Sequence, residues 1–324
     1  MLLLLDLRNN NLKTGIFSHP SFFWHDTGDN HPESNLRIKK ILNRLNKLKI
    51  DEIKNFDCPY ATNDQIAKVH DRTYIDKITN FFPLKKVIKL DSDTILSPRS
   101  LEACLRAPGA VISAIKMVNQ RKIKNAFCVV RPPGHHARVS NGMGFCIFNN
   151  IAIGAAYARY ELGIKKIAII DIDVHHGNGT EEWVRSKNDE NFLFCSIHQS
   201  PLYPGTGLGL NSTENNINNY ILSPGEGSFE FRKLVNNKLV TILKIFKPEI
   251  ILLSIGFDGH ELDDISGTKL ISDDYFWVTE RVSEVARKYC SGKLISVLEG
   301  GYNLLALEES SFNHVAALIK ADSM

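Results

Sequence analysis

Residues 167–179 read Ile-Ala-Ile-Ile-Asp171-Ile-Asp173-Val-His175-His176-Gly-Asn178-Gly, an apolar run that breaks abruptly into acids, histidines and glycines. A short run without polar alternation suits a strand buried on both faces, as in a parallel sheet. If the chain stays extended past the run, positions 171, 173 and 175 project to one side and His176 to the other. Two carboxylates and an imidazole then converge within a few ångströms, and like charges so close call for a cation. A lone strand-end Asp is more often a helix cap or part of a satisfied polar turn. D-x-D-x-H-H together points to a metal.

Working outward, similar apolar runs occupy residues 2–5, 126–130, 192–197, 250–255 and 294–298, each bounded by turn or charged residues. Between them lie helical patterns. Leu36, Ile38, Ile41, Leu42, Leu45 and Leu48 recur at helical spacing, and 151–162, 231–246 and 275–289 suit helices. This alternation predicts a single α/β domain over 1–324, with a mainly parallel central sheet flanked by helices. The Asn-rich stretch 211–219 is expected to be a surface loop. Ligand sites in such sheets form outside the carboxyl ends of the strands.

Composition narrows the class. With 43% hydrophobic and 23% charged residues over 324 positions, the chain is neither disordered nor fibrous. Lys and Arg outnumber Asp and Glu by 39 to 36, and a net +3 is too mild for direct nucleic-acid binding or a polybasic membrane surface. The six cysteines are scattered without a C-x-x-C pair, which argues for a reducing compartment and against a thiolate-zinc module. No uncharged apolar stretch reaches the roughly 18 residues of a membrane span, and 2–5 is too short for a signal-peptide core. The expectation is a soluble, cytoplasmic protein.

The other strand ends also carry chemistry. Gly256-Phe257-Asp258 follows 250–255, and Asp173, His175 and Asp258 together would make a three-ligand set with room for water, the layout of a catalytic zinc. Oxygen-rich ligation also suits Fe(II), Mn or Co. Arg131-Pro-Pro-Gly134-His135-His136 follows 126–130. Adjacent histidines on a rigid Pro-Gly loop are not expected to face a core together; they are either solvent-exposed or a proton-transfer pair tuned by an acid. Glu299-Gly300-Gly301-Tyr302 follows 294–298, where paired glycines allow close backbone approach and the phenol could donate to a developing oxyanion. A tyrosine in that position is otherwise commonplace packing.

At these residues the sequence resembles the histone deacetylase superfamily and its arginase/deacetylase fold. The matching segments are RPPGHHA (131–137), GFCIFNN (144–150), DIDVHHGNGT (171–180), YPGTG (203–207), SIGFDGH (254–260) and LEGGY (298–302), with HPES and Arg37 (31–37) resembling the entrance motif. HHGNGT, with Asn178 where class I members carry Asp, looks like the class II and bacterial branch. The resemblance implies one zinc held by Asp173, His175 and Asp258, with His136 as general base and Tyr302 polarising the scissile carbonyl. It pairs His135 with Asp171 and His136 with Asn178 as orienting contacts. A structural potassium would use Asp171, Ser196 and backbone carbonyls near His175. Phe145 and Tyr203 match the walls of an acyl-lysine channel, with Gly144 and Gly301 along the substrate path. Asp93, in LDSDT, is the candidate rim acid, and Arg37 matches an internal-channel arginine near the acetate exit.

Two departures bear on substrate. Tyr203 stands where many members have Phe, and the stretch 260–267 is about one residue longer than the usual H-x-D-D-P-L-G, with Ile265-Ser266 replacing Pro-Leu. The leading expectation is zinc-dependent deacetylation of acetyl-lysine in peptides or proteins. The second is a small-molecule amidohydrolase acting on acetylated polyamines, for which Glu261, Asp263 and Asp264 are available acids. A non-catalytic acyl-lysine binding module and a binuclear manganese ureohydrolase rank below these. The intact histidine and tyrosine set disfavours the former, and Asn178 with His135-His136 disfavours the latter.

Overall fold

The computed structural model describes residues 12–47, 51–208 and 216–321. Its strands are β1 Thr14–Phe17, β2 Ile53–Phe56, β3 Ile88–Lys89, β4 Ile95–Leu96, β5 Ala126–Cys128, β6 Ile167–Asp171, β7 Phe192–Gln199, β8 Ile217–Leu222, β9 Ile250–Ile255 and β10 Leu294–Leu298. Eight form one sheet in the order β2-β1-β5-β10-β9-β6-β7-β8, and every neighbouring pair is parallel. β3 and β4 make a small antiparallel hairpin. Every residue of β5, β6, β7, β9 and β10 is buried, which accounts for their continuous apolar sequences.

Helices cover the sheet. Ser100–Asn119 packs on Asn150–Tyr160, and both contact the strands; Asn35–Lys47, Leu304–Lys320 and Ser272–Cys290 pack in succession on one another. The result is a single α/β domain with one continuous hydrophobic core. Asn303 caps Leu304–Lys320 by accepting from the Leu305 and Ala306 amides, fixing where the chain turns after Tyr302. All six cysteines are free and buried. Among the described residues no helix is long and apolar enough to cross a membrane.

The strand expected at 2–5 lies outside the described residues. β1 and β2 were not expected: Thr-Gly-Ile-Phe is short and interrupted by glycine, and Ile-Lys-Asn-Phe is a half-exposed edge strand. Of the loop expected over 211–219, residues 211–215 lie outside the described residues, and its end requires correction. Residues 217–219 begin β8, where Asn218 and Asn219 sit on a partly exposed edge and Asn219 donates to Glu181 at 2.7 Å. An edge strand tolerates such polar residues because one side faces solvent. The helix expected over 231–246 begins at Ser228 and continues to Phe246 through one π turn, Val235–Leu239.

Candidate active site

β6 ends at Asp171, and the chain beyond it bends instead of continuing extended. The bend still gathers the groups expected to converge. His175 Nδ1 lies 3.0 Å from Asp173 Oδ1 and 3.1 Å from Asp258 Oδ2. The ligand atoms of Asp173, His175 and Asp258 all lie within 4.8 Å of one another, and all three residues are buried. Backbone donors orient the acids: Val174 N to Asp258 Oδ1 at 3.1 Å, His175 N to Asp173 Oδ1 at 2.9 Å and Gly300 N to Asp173 Oδ2 at 2.8 Å. Glycine is required beside them. A Cβ on Gly300 would lie 2.0 Å from Asp258 Oδ2, and one on Gly256 2.1 Å from Asp173 Oδ2.

Two buried carboxylates sharing one imidazole make a doubly negative pocket. Burial alone would lower the His175 pKa, but the bonds to Asp173 and Asp258 outweigh it and hold the ring up at about 10. In effect a proton on His175 stands where a divalent cation would neutralise both acids. The donor set, two oxygens and one nitrogen, therefore fits a divalent metal.

The histidine pair corrects the sequence reading, because both rings are buried, at 3% and 4% exposure, with centroids 4.0 Å apart. Each has a polar partner of its own, so burial leaves neither unsatisfied. His135 Nδ1 meets Asp171 Oδ2 at 2.9 Å and His136 Nδ1 meets Asn178 Oδ1 at 2.7 Å. The environments drive the rings apart. Burial, reinforced by His135 and His175, pushes His136 well below the usual range. For His135, burial is outweighed by Asp171, Asp173 and Glu299, which hold it up at about 10.

A cavity of about 210 Å³ opens onto this cluster, lined by Asp93, His136, Gly144, Phe145, His175, Leu202, Tyr203, Ile265 and Tyr302. Tyr203 is edge-on to His136 at 5.2 Å, and Phe145 is edge-on to Tyr302 at 5.9 Å. Burial pushes the Tyr302 phenol well above its usual pKa. Arg37 is buried behind Tyr302, its guanidinium 4.9 Å from the ring centroid and its Nε donating to Gly301 O at 2.6 Å. Gly301 thus turns its carbonyl to Arg37. Asp171 and Ser196 are register partners across β6 and β7, and Ser196 Oγ lies 2.8 Å from His198 Nδ1.

Sequence reasoning gave no role to several residues that hold this site. Glu299 Oε2 accepts from Gly134 N at 2.7 Å and His135 N at 3.1 Å, while Oε1 accepts from Ser254 Oγ at 2.9 Å. Burial pushes its carboxyl up to about 7. Glu33 receives Arg131 Nε on both oxygens, at 2.7 and 2.9 Å, and Arg37 Nη1 at 3.1 Å. Asp263 is buried and faces the Tyr302 backbone, whereas Glu261 and Asp264 are exposed. Glu33, Arg131 and Glu299 do stand inside the quoted motifs, which was the available signal.

Fold and site together define the class: a parallel α/β chain with a candidate divalent-cation centre and a histidine pair at the carboxyl ends of its strands. The chain belongs to the histone deacetylase family, whose histone deacetylase domain matches residues 31–318. It is 36% identical to the type-2 histone deacetylase 2 of Dictyostelium discoideum over 98% of this chain, but spans only 21% of that protein. It is 34% identical to a probable deacetylase of Archaeoglobus fulgidus, covering 95% of this chain and 87% of that one. The crystal structure of the HDA15 HD domain superposes with a TM-score of 0.89 at 27% identity, over 97% of this chain and 90% of that one. Family membership supports deacetylase activity, and with it hydrolase chemistry on acetylated substrates.

Proposed function

We propose that the chain is a zinc-dependent deacetylase that hydrolyses the acetyl amide of acetyl-lysine in peptides or proteins, with residues 1–324 as one deacetylase domain. The observation that carries this reading is the single cavity onto which His136, His175 and Tyr302 all open. Asp173, His175 and Asp258 would hold the zinc, which when bound supplies Lewis acidity and lowers the pKa of water. His136, kept neutral by burial, accepts the proton of the attacking water while Nδ1 stays bonded to Asn178, then passes that proton to the leaving amine. His135 stays bonded to Asp171, which orients its ring beside His136. Tyr302 keeps its proton and donates to the carbonyl oxygen as charge develops there. Phe145 and Tyr203 flank the lysine stem, Gly144 lies beside it, and Asp93 is the acid at the rim. A structural potassium would be held beside Asp171 and Ser196, which adjoin across the sheet. Six buried free thiols support a reducing, cytoplasmic setting.

One observation favours the second reading, a small acetylated amine. A second cavity of about 390 Å³ shares Tyr302 and Ile265 with the first, and its lining includes Asp264, an exposed acid suited to a distal ammonium. The deciding experiment compares initial rates on zinc-loaded protein with an acetyl-lysine peptide and an acetylated polyamine, each with and without chelator. Chelator-sensitive turnover favouring the peptide is expected. Preference for the polyamine would move the function to small amines, and turnover indifferent to chelator would sink the metal reading.

A further inference from the structure

The segment 260–267, whose length and Ile265-Ser266 depart from the family pattern, carries one acid that is turned inward. Asp263 is 4% exposed, and its Oδ2 accepts from Tyr302 N at 2.6 Å and from Asn303 N at 2.9 Å. The Ile265 amide lies near this carboxylate and favours its charged form. From the same segment, Leu262 O accepts from Asn303 Nδ2 at 2.7 Å. On the opposite side of Tyr302, Arg37 Nε holds Gly301 O at 2.6 Å and its guanidinium lies against the ring. The peptide joining Gly301 to Tyr302 is therefore held at its carbonyl by a buried cation and at its N–H by a buried anion, which also holds the peptide that follows. Arg37 also touches the ring, whereas the bonds of Asp263 to Tyr302 and Asn303 are made to backbone amides.

From this we infer that Asp263 is a positioning residue for Tyr302, locking the mouth loop to the tyrosine so that the hydroxyl reaches the reacting carbonyl. The inference rests on the proposed deacetylase reading for the hydroxyl's task, but the grip itself is a property of this chain. Two amides converge on one carboxylate oxygen, those of Tyr302 and of Asn303, the residue that also caps the following helix. Releasing them frees the backbone on which the phenol is mounted. A displacement near 1 Å at a reacting group can cost about 100-fold in rate. Ile265, two residues along the same segment, walls the reaction cavity. One side chain thereby joins this segment to the tyrosine.

The test uses the full chain, zinc-loaded, with an acetyl-lysine peptide. Asp263→Ala is expected to lower kcat by roughly 10- to 100-fold with little change in KM. Asp263→Asn, whose amide oxygen can still accept both N–H groups, is expected to restore most of that loss. In a Tyr302→Phe background Asp263→Ala should cost almost nothing more, because its effect passes through the hydroxyl. Should the alanine variant not fold, Asp263→Ser takes its place with the same expectations, since its short side chain cannot reach both amides. A second arm reads placement without turnover. In protein labelled with 3-fluorotyrosine, the ¹⁹F resonance lost in Tyr302→Phe should shift and broaden in Asp263→Ala and hold its position in Asp263→Asn. An unmoved resonance, equal losses in the Ala and Asn variants, or full additivity with Tyr302→Phe would each overturn the inference. A wild-type protein inactive on every acetylated substrate would count against the proposed function alone, because the ¹⁹F arm still reports on the grip.

Discussion

Two buried charge clusters lie close together in this molecule, and they are built on opposite plans. In the first, Glu33 receives two guanidinium groups, and the surplus positive charge is spread over backbone carbonyls. Arg131 donates to Phe22, His25 and Glu33, and Arg37 to Glu299 and Gly301. Burial would raise the Glu33 carboxyl, but the two arginines hold it below its usual range. In the second, Asp173 and Asp258 share one imidazole and a few amide donors. The first cluster is closed by the protein's own groups, whereas the second is left short of positive charge. A buried pair completed internally needs no further partner and is costly to break; one left incomplete is where a cation and chemistry can enter.

The strongest test of that contrast is Asp258→Asn, which keeps the acceptor for Val174 N but removes one charge. Metal content by elemental analysis should fall to near zero and turnover should vanish. Metal-free protein should be at least as stable as metal-free wild type, because like-charge repulsion is relieved. Chelator should lower the Tm of wild type and leave that of the variant unchanged. Full metal retention in the variant would break the ligand set. Next in size, Tyr302→Phe should cost roughly 10²–10³ in kcat with metal still bound; unchanged turnover would remove the phenol from the mechanism.

The internally completed cluster should respond in the other currency. Arg131→Met leaves Glu33 with one arginine and should cost about 3–5 kcal/mol of stability, read by urea unfolding, with metal content per folded molecule unaltered. Metal loss in protein that remains folded would show that the clusters are not separate. The smallest effect concerns pH. Glu299 has a folded pKa raised to about 7 from 4.5, so the folded state holds this proton more tightly than the unfolded chain does. Its contribution is full below about pH 4.5 and is lost as pH rises through about 7. Glu299→Gln should flatten the decline in stability across that interval; an unchanged profile would place Glu299 as a permanent anion.

Much of this was legible in sequence, and the limits have physical causes. The runs at 250–255 and 294–298 match β9 and β10 residue for residue because strands buried on both faces leave an unbroken apolar signature. Edge strands leave a weaker one, so Ile53–Phe56 and Ile217–Leu222 went unseen. The convergence of Asp173, His175 and Asp258 could be anticipated because each follows a readable strand. Glu33 with Arg131 could not, since the partners stand 98 positions apart and neither motif names the other. Asp263 was hidden for a different reason: in sequence it is one acid among several, and only the fold shows which one turns inward. The burial of both histidines likewise depends on Asp171 and Asn178 arriving from another loop.

The strand order has a consequence for how the protein is made. β10 is the most C-terminal of the described strands, yet it fills the gap between β5 and β9 in the middle of the sheet. During translation the sheet must therefore wait in two halves, with the edges of β5 and β9 open, until residues 294–298 clear the ribosome. Open strand edges are ready templates for wrong pairing, so the chain is exposed to mispairing over this interval. It also acts as a safeguard: Glu299 and Tyr302 follow directly on β10, and a product that terminates early lacks both the keystone strand and the tyrosine beside it.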